Sequence, residues 1–301
     1  MTPPTAPASR LSAYGLLAMT TLIWGAAPVF IRSLGLALGP AEAVAIRTLL
    51  VALISLPLLA RFGGFHFDRE DWPRLAFTSI IGSFGYYLGS IYGYASMPAG
   101  QGSIIMATSP LLIAVMSGIA GHERLTPATL IGLALSFAGT VLLFTGGGAS
   151  AAAPHGVLSG GLMIFAAAAA WSLYVVAGRD LIRKYGAIKY MAAASLLSVL
   201  PALPFLSAHT LPTLLALTPR NLFELFYLSV LGTVVSVSAW NYAAARLPPS
   251  TVGATLYLLP LMAIAAGVVI LGETVSLRML LAAAIVLGGV ALSQWDKYRR
   301  G

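Results

Sequence analysis

The chain has 301 residues, of which 58% are hydrophobic and only 9% charged, where a soluble domain carries about a quarter charged residues; with a mean hydropathy of +0.89, it reads as an integral membrane protein. It contains no cysteine, which excludes disulfides, thiolate catalysis and zinc–sulfur sites. The net charge of +8 points away from nucleic acid and toward orientation in a bilayer, because the basic residues sit in short loops between apolar runs.

Residues 1–12 read as a cytoplasmic tail. A cleaved leader is disfavoured, although A-E-A occurs at 41–43, because the first apolar run exceeds the roughly 7–15 residues of a leader core. Runs near the ~20 residues needed to span a bilayer then fall at 13–32, 40–60, 73–94, 99–120, 127–146, 157–178, 188–207, 221–244, 251–271 and 276–295. The strand alternation of a membrane barrel is absent. The expected fold class is therefore an all-α integral membrane protein of ten transmembrane helices.

In the first helix, Thr20, Thr21, Trp24 and Pro28 share a face by i, i+3/i+4 spacing. Pro28 frees the carbonyl of Trp24, and a cavity-lining kink and a packing kink weigh evenly. The second helix opens with Pro40 and Glu42, a start with an acid in the first turn. Arg47, an intramembrane cation, is read as pairing with Glu42 or with helix-end carbonyls near the interface. In the third helix, Gly82, Gly85, Gly89 and Gly93 form a stripe suited to close packing on another helix. Ser83, Tyr87, Ser90 and Tyr94 form a second stripe, read as facing a ligand. The fourth helix carries Gln101, Ser103 and Pro110.

Thr126 and Pro127 read as N-cap and first residue of the fifth helix, and the Gly- and Ala-rich stretch 147–156 as a flexible linker. The sixth helix places Trp171 and Tyr174 on one face. The seventh is poor in polar groups and reads as structural. The eighth pairs Asn221 with Glu224 at capping-box spacing and carries Trp240 and Asn241. The ninth contains Tyr257 and Pro260, and residues 296–301 form a second cytoplasmic tail.

An offset of 150 residues places Pro98 on Pro248, Pro110 on Pro260, Glu123 on Glu273, Gly82 on Gly232 and Gly139 on Gly289. This is an internal duplication, with repeats at 13–146 and 157–295. Thirteen Lys and Arg fall on one side of the predicted topology and three on the other, which puts both termini in the cytoplasm. Five helices per repeat then force the repeats to be inverted, and paired proline irregularities in inverted halves point to a transport site near the midplane. Glu123 and Glu273, at helix-to-helix corners, are read as capping or pairing groups. The four histidines lie in loops or at interfaces, no acid falls mid-span, and metalloprotease, hydrolase and P-loop motifs are missing. No enzyme activity, cofactor or metal is expected, and transport is expected to need no buried carboxylate relay.

The I-W-G-A-A-P-V-F-I-R start, the A-I-R-T-L-L of the second helix, and the doubled Gly–Glu corners followed by apolar helices with Gly139 or Gly289 resemble the EamA family of the drug/metabolite transporter superfamily. The likeness is greatest to its YddG-like aromatic amino-acid exporters. The first corner departs from the pattern, since His122 separates Gly121 from Glu123. The resemblance implies a monomeric inner-membrane exporter whose partners are neutral amino acids, aromatic and other bulky ones first, and the lipid bilayer, not nucleic acid. The expected substrate-binding residues are Thr20, Trp24, Ser83, Tyr87, Ser90, Tyr94, Gln101, Trp171, Tyr174, Trp240, Asn241 and Tyr257, around a neutral, aromatic cavity bounded by kinks at Pro28, Pro110 and Pro260. The alternatives are a broad metabolite or cationic-drug exporter of the same superfamily and a membrane scaffold without turnover.

Overall fold

The structure, a computed structural model, describes residues 7–121, 126–144, 154–244, 247, 255–256 and 258–300. Among these residues there are helices and no strand. That is the outcome hydrocarbon imposes, since a helix satisfies its own backbone polar groups without water. Six helices are long and apolar enough to span a membrane: Leu11–Leu38, Pro40–Arg61, Ala99–Ile119, Leu158–Ala177, Ala187–Phe205 and Pro219–Trp240. Three shorter apolar helices, Pro127–Leu143, Leu258–Leu271 and Leu277–Ser293, accompany them. The run read at 73–94 is helical from Trp72 to Ser96.

The helices are interrupted in corresponding places. A π segment occupies Thr78–Phe84 and another Tyr227–Val235, and the 150-residue offset carries the first onto the second. Helix Ala99–Met106 is separated from Ser109–Ile119 by a turn at Ala107–Thr108. Proline explains the break. Pro110 cannot donate to Met106, and the hydroxyl of Ser109 donates to that carbonyl instead at 2.7 Å. A second such turn falls at Leu256, whose carbonyl accepts from Leu259 N at 3.3 Å. The corner at Glu123 and the linker 147–153 lie outside the described residues.

Capping corrects one expectation. Helix Pro219–Phe226 is capped by Thr218 in a reciprocal box with Asn221, one turn earlier than read from sequence, because Pro219 takes the first helical position. Glu224 is instead buried and paired with Arg220 at 3.0 Å. Thr126 does cap its helix, accepting from Thr129 N at 3.2 Å.

Packing rests on small residues. The glycine stripe of the third run lies on helix Pro154–Ala177: a Cβ at Gly82 would meet Tyr174, at Gly89 the carbonyl of Met163, and at Gly93 Ile164. Helix Pro127–Phe144 meets helix Leu277–Arg300 in the same way. Gly139 faces Val286 and the carbonyl of Ala282, while Gly289 faces Ser136 and the carbonyl of Gly132. The offset exchanges 139 with 289, 136 with 286 and 132 with 282, so each contact is the image of the other, as a two-fold relation requires. Ser136 Oγ, donating to the carbonyl of its own counterpart Val286 at 3.1 Å, sits where such an axis would pass.

Gly89→Val is expected to lower the unfolding temperature in detergent by the equivalent of about 1–3 kcal/mol of overpacking, because the added atoms meet backbone. Gly15→Val, where nothing lies within 4 Å of an added Cβ, is expected to be near neutral. Equal shifts for the two variants in a thermal unfolding assay would show that the stripe is not a packing face.

Candidate functional site

A cavity of about 200 Å³ lies between residues of both predicted halves. Its aromatic wall is continuous. Trp24 meets Trp171 edge-on at 6.4 Å, Trp171 stacks on Tyr174 at 5.6 Å and an interplanar angle of 19°, and Tyr86 reaches Trp171 at 5.6 Å. Trp24 is fixed across the halves, its Nε1 donating to the carbonyl of Gly232 in the second π segment at 2.8 Å. π segments disrupt the regular backbone ladder and recur at functional sites; here one receives the indole of the opposite half. Pro28, Pro110 and Pro260 all border the cavity.

The structure brings six of the expected side chains onto the cavity surface, Trp24, Ser83, Tyr87, Tyr94, Trp171 and Tyr174; Trp240 stands behind Trp24 with ring centroids 5.2 Å apart without lining it. Thr20, Ser90 and Gln101 do not line it. Thr20 Oγ1 is directed at the carbonyl of Ser236 at 3.5 Å, and Ser90 Oγ donates to the carbonyl of Tyr87 at 3.2 Å. Tyr257 and the side chain of Asn241 lie outside the described residues. The wall also includes Tyr86, Ser103, Ser109, Met106, Met191 and Thr233. Of these, Tyr86 was legible as the neighbour of Tyr87 in an aromatic run.

The larger correction concerns charge. The expected neutral cavity contains Arg47, which is 4% exposed and whose guanidinium lies over the Tyr87 ring at 4.5 Å. It does not pair with Glu42, whose two carboxylate oxygens accept from Ser207 and Thr210 at 2.6 Å each. Five residues of separation place Glu42 and Arg47 about 140° apart around a helix, so the pairing was geometrically poor. Among the described lining residues there is no acid.

Bridges between halves stand toward both ends of helix Pro40–Arg61. At one end Glu273 accepts from the backbone N–H of Ala99 and Gly100 at 2.8 and 3.3 Å and pairs with Arg32 Nε at 3.3 Å. Arg32 also donates to the carbonyls of Tyr94 and Met97. Gly267 makes the room, since a Cβ there would strike the carboxylate. A carboxylate at a helix N-terminus meets both free N–H groups and the positive end of the dipole. The capping role read for Glu273 is thus real, but the helix it caps is remote in sequence. At the other end Lys184 contacts Asp68 and Asp71 at 2.6 Å, Tyr185 donates to Asp71 at 2.6 Å, and Arg74 pairs with Asp180 at 2.8 Å. Lys184 and Tyr185 hold the Asp71 carboxyl below its usual range. Asp71 and Tyr185 are half-buried and the other groups exposed, and exposed pairs contribute little individually.

The sequence model of the EamA-like transporter family matches residues 11–145 and again 158–295. Among curated proteins, the chain is 27% identical over 280 residues to a "probable terminal-alkyne amino-acid exporter" of Streptantibioticus cattleyicolor, covering 92% of this chain and 91% of the relative. It is 24% identical over 295 residues to a "probable amino-acid metabolite efflux pump" of Salmonella typhimurium, covering 93% and 94%. A solved crystal structure superposes with a TM-score of 0.63 at 23% identity, covering 96% of this chain and 98% of the other; it supports the fold alone.

Glu273→Ala leaves two helix-terminal N–H groups unmatched and Arg32 without its carboxylate, and is expected to cost about 1–3 kcal/mol of stability. Combined with Arg32→Ala, the loss should fall short of the sum of the single losses. Strict additivity in thermal unfolding of the four proteins would show that the two side chains do not act as one clasp.

Proposed function

We propose a function on one premise: the chain belongs to the EamA-like transporter family, which it matches in both halves. It is a membrane exporter, and we propose that its substrates are amino acids, aromatic and other bulky neutral ones first. The observation that carries this reading is the aromatic cavity between the halves, with Trp24, Tyr86, Tyr87, Trp171 and Tyr174 on its wall. Stacked rings contribute about 0.5–1.5 kcal/mol per pair beyond buried area. The cavity volume of about 200 Å³ is below the roughly 300–1,000 Å³ of pockets that enclose drug-sized ligands, which favours a small metabolite. A cationic drug would want an acid, and the described lining offers a cation. The names of two relatives, an amino-acid exporter and an amino-acid metabolite efflux pump, point the same way.

The mechanism we propose is alternating access between inverted halves, 13–146 and 157–295, of five spans each, with both termini in the cytoplasm of a bacterial-type inner membrane. Its supports are the 150-residue offset, the paired π segments and the reciprocal glycine contacts. The bridges at Glu273 and at Lys184 join the halves at opposite ends, and each would have to open in turn.

In proteoliposomes preloaded with unlabelled phenylalanine, labelled phenylalanine should enter by accelerated exchange that is independent of an imposed pH gradient. Trp171→Ala should lower that exchange by roughly 10-fold at subsaturating substrate while eluting as a folded species. Absence of exchange by folded wild-type protein would overturn the substrate assignment. Unaltered exchange in Trp24→Ala and Trp171→Ala would remove the cavity as its site.

A further inference from the structure

Arg47 is a buried cation whose hydrogen-bonding edge is unused. Nε and NH1 have no hydrogen-bond partner among the described residues. The Tyr87 ring covers one face of the guanidinium plane, but a π contact meets none of the N–H donors, which point outward in that plane. Glu42 is committed to Ser207 and Thr210 and Glu273 to Arg32 and a helix N-terminus, while Glu224 pairs with Arg220 through Oε1 and its buried Oε2 has no partner among the described residues. A guanidinium out of water without an anion is expensive, and its free edge belongs to a side chain that lines the cavity.

We propose that Arg47 is the specificity-determining residue that anchors a substrate carboxylate, and that the site therefore selects for the carboxylate rather than for the ammonium group. The inference rests on the reading of the cavity as an aromatic amino-acid site and extends it to a further substrate class. The guanidinium fork matches a carboxylate with two parallel hydrogen bonds. Seated there, a carboxylate lies beside Tyr87 and Tyr86, with Trp171 5.6 Å beyond Tyr86, so an aryl group two or three bonds away meets the aromatic wall. Among the described lining residues the ammonium group finds hydroxyls such as Ser83 and Thr233 and no carboxylate. Aryl-substituted carboxylic acids that lack the α-amino group are therefore ligands, whereas aryl amines and amino-acid amides are rejected.

The test is competition against labelled phenylalanine exchange in proteoliposomes by four compounds: phenylalanine, 3-phenylpropionate, phenylalaninamide and phenethylamine. In wild-type protein the two carboxylates should compete within about 10-fold of each other, and the amide and amine about 10- to 100-fold more weakly, the range expected for a charge-assisted hydrogen-bonded pair. In Arg47→Gln the carboxylates should lose that advantage and the four compounds converge; Arg47→Lys should recover part of it. Equal competition by phenylalaninamide and phenylalanine in wild-type protein overturns the anchor, as does an unchanged order in Arg47→Gln. If Arg47→Gln fails to fold, the wild-type series decides alone. If wild-type protein does not exchange phenylalanine, the reading of the substrate fails, and the anchor is judged separately by tryptophan-fluorescence titration with 3-phenylpropionate. Saturable quenching stronger than with phenethylamine upholds the carboxylate preference; equal or absent quenching overturns it.

Discussion

In hydrocarbon a backbone polar group that leaves a helix has to find another partner inside the protein, and the layout of this molecule follows from where that is done. The chain interrupts its helices at a few places, and each is met by a specific group. Ser109 covers the carbonyl of Met106 at the Pro110 break, Ser198 reaches the carbonyl of Ser79, and the indole of Trp24 takes up the carbonyl of Gly232. Glu273 does the same for a helix start, closing the N–H groups of Ala99 and Gly100. Most of these repairs border the cavity or its ends. Irregular backbone adjoins the cavity where protein groups compensate for the lost ladder.

The same sites join one half of the chain to the other. Trp24 with Gly232 and Glu273 with Ala99 couple positions more than 170 residues apart. The glycine contacts between Pro127–Phe144 and Leu277–Arg300 are tight, with backbone oxygen opposing each added Cβ, and have little room to slide. The bridges at the ends are polar and few. Close-packed contacts that resist sliding, beside polar contacts that can break, suit the alternating access proposed above.

Much of this was legible in the sequence. The apolar runs, the glycine stripe and the three prolines rest on length, spacing and a missing N–H, which tertiary context cannot alter. Trp24 and Trp171 were both legible as candidate wall residues, but their contact with each other was not. Rotational phase was not. Ser90 shares a stripe with Ser83 and Tyr87, yet its short side chain bonds the preceding turn, as serine in a helix often does. Trp240 was expected on the cavity wall and stands one layer behind Trp24. The π segment at 78–84 adds to the difficulty, because it departs from the 3.6-residue period on which face assignments depend. Glu273 was recognisable as a capping group, but its target lies 174 residues away, a pairing that only the closed fold reveals.

Arg47 shows how a local rule can mislead where charge balance informs. Proximity to Glu42 and to the interface made a structural pairing the economical reading of the sequence. The structure satisfies Glu42 with two hydroxyls and leaves the arginine facing an aromatic hollow. A cation held this way is costly when the cavity is dry and empty, tolerable when water fills it, and best satisfied when a carboxylate replaces that water. If Arg47 binds carboxylate as proposed, the loaded carrier can exclude water from the cavity at lower cost than the empty one. Occlusion would then follow substrate binding, because a ligand shifts a conformational equilibrium only by its differential affinity for the two states, and here the difference would be the desolvation of one guanidinium.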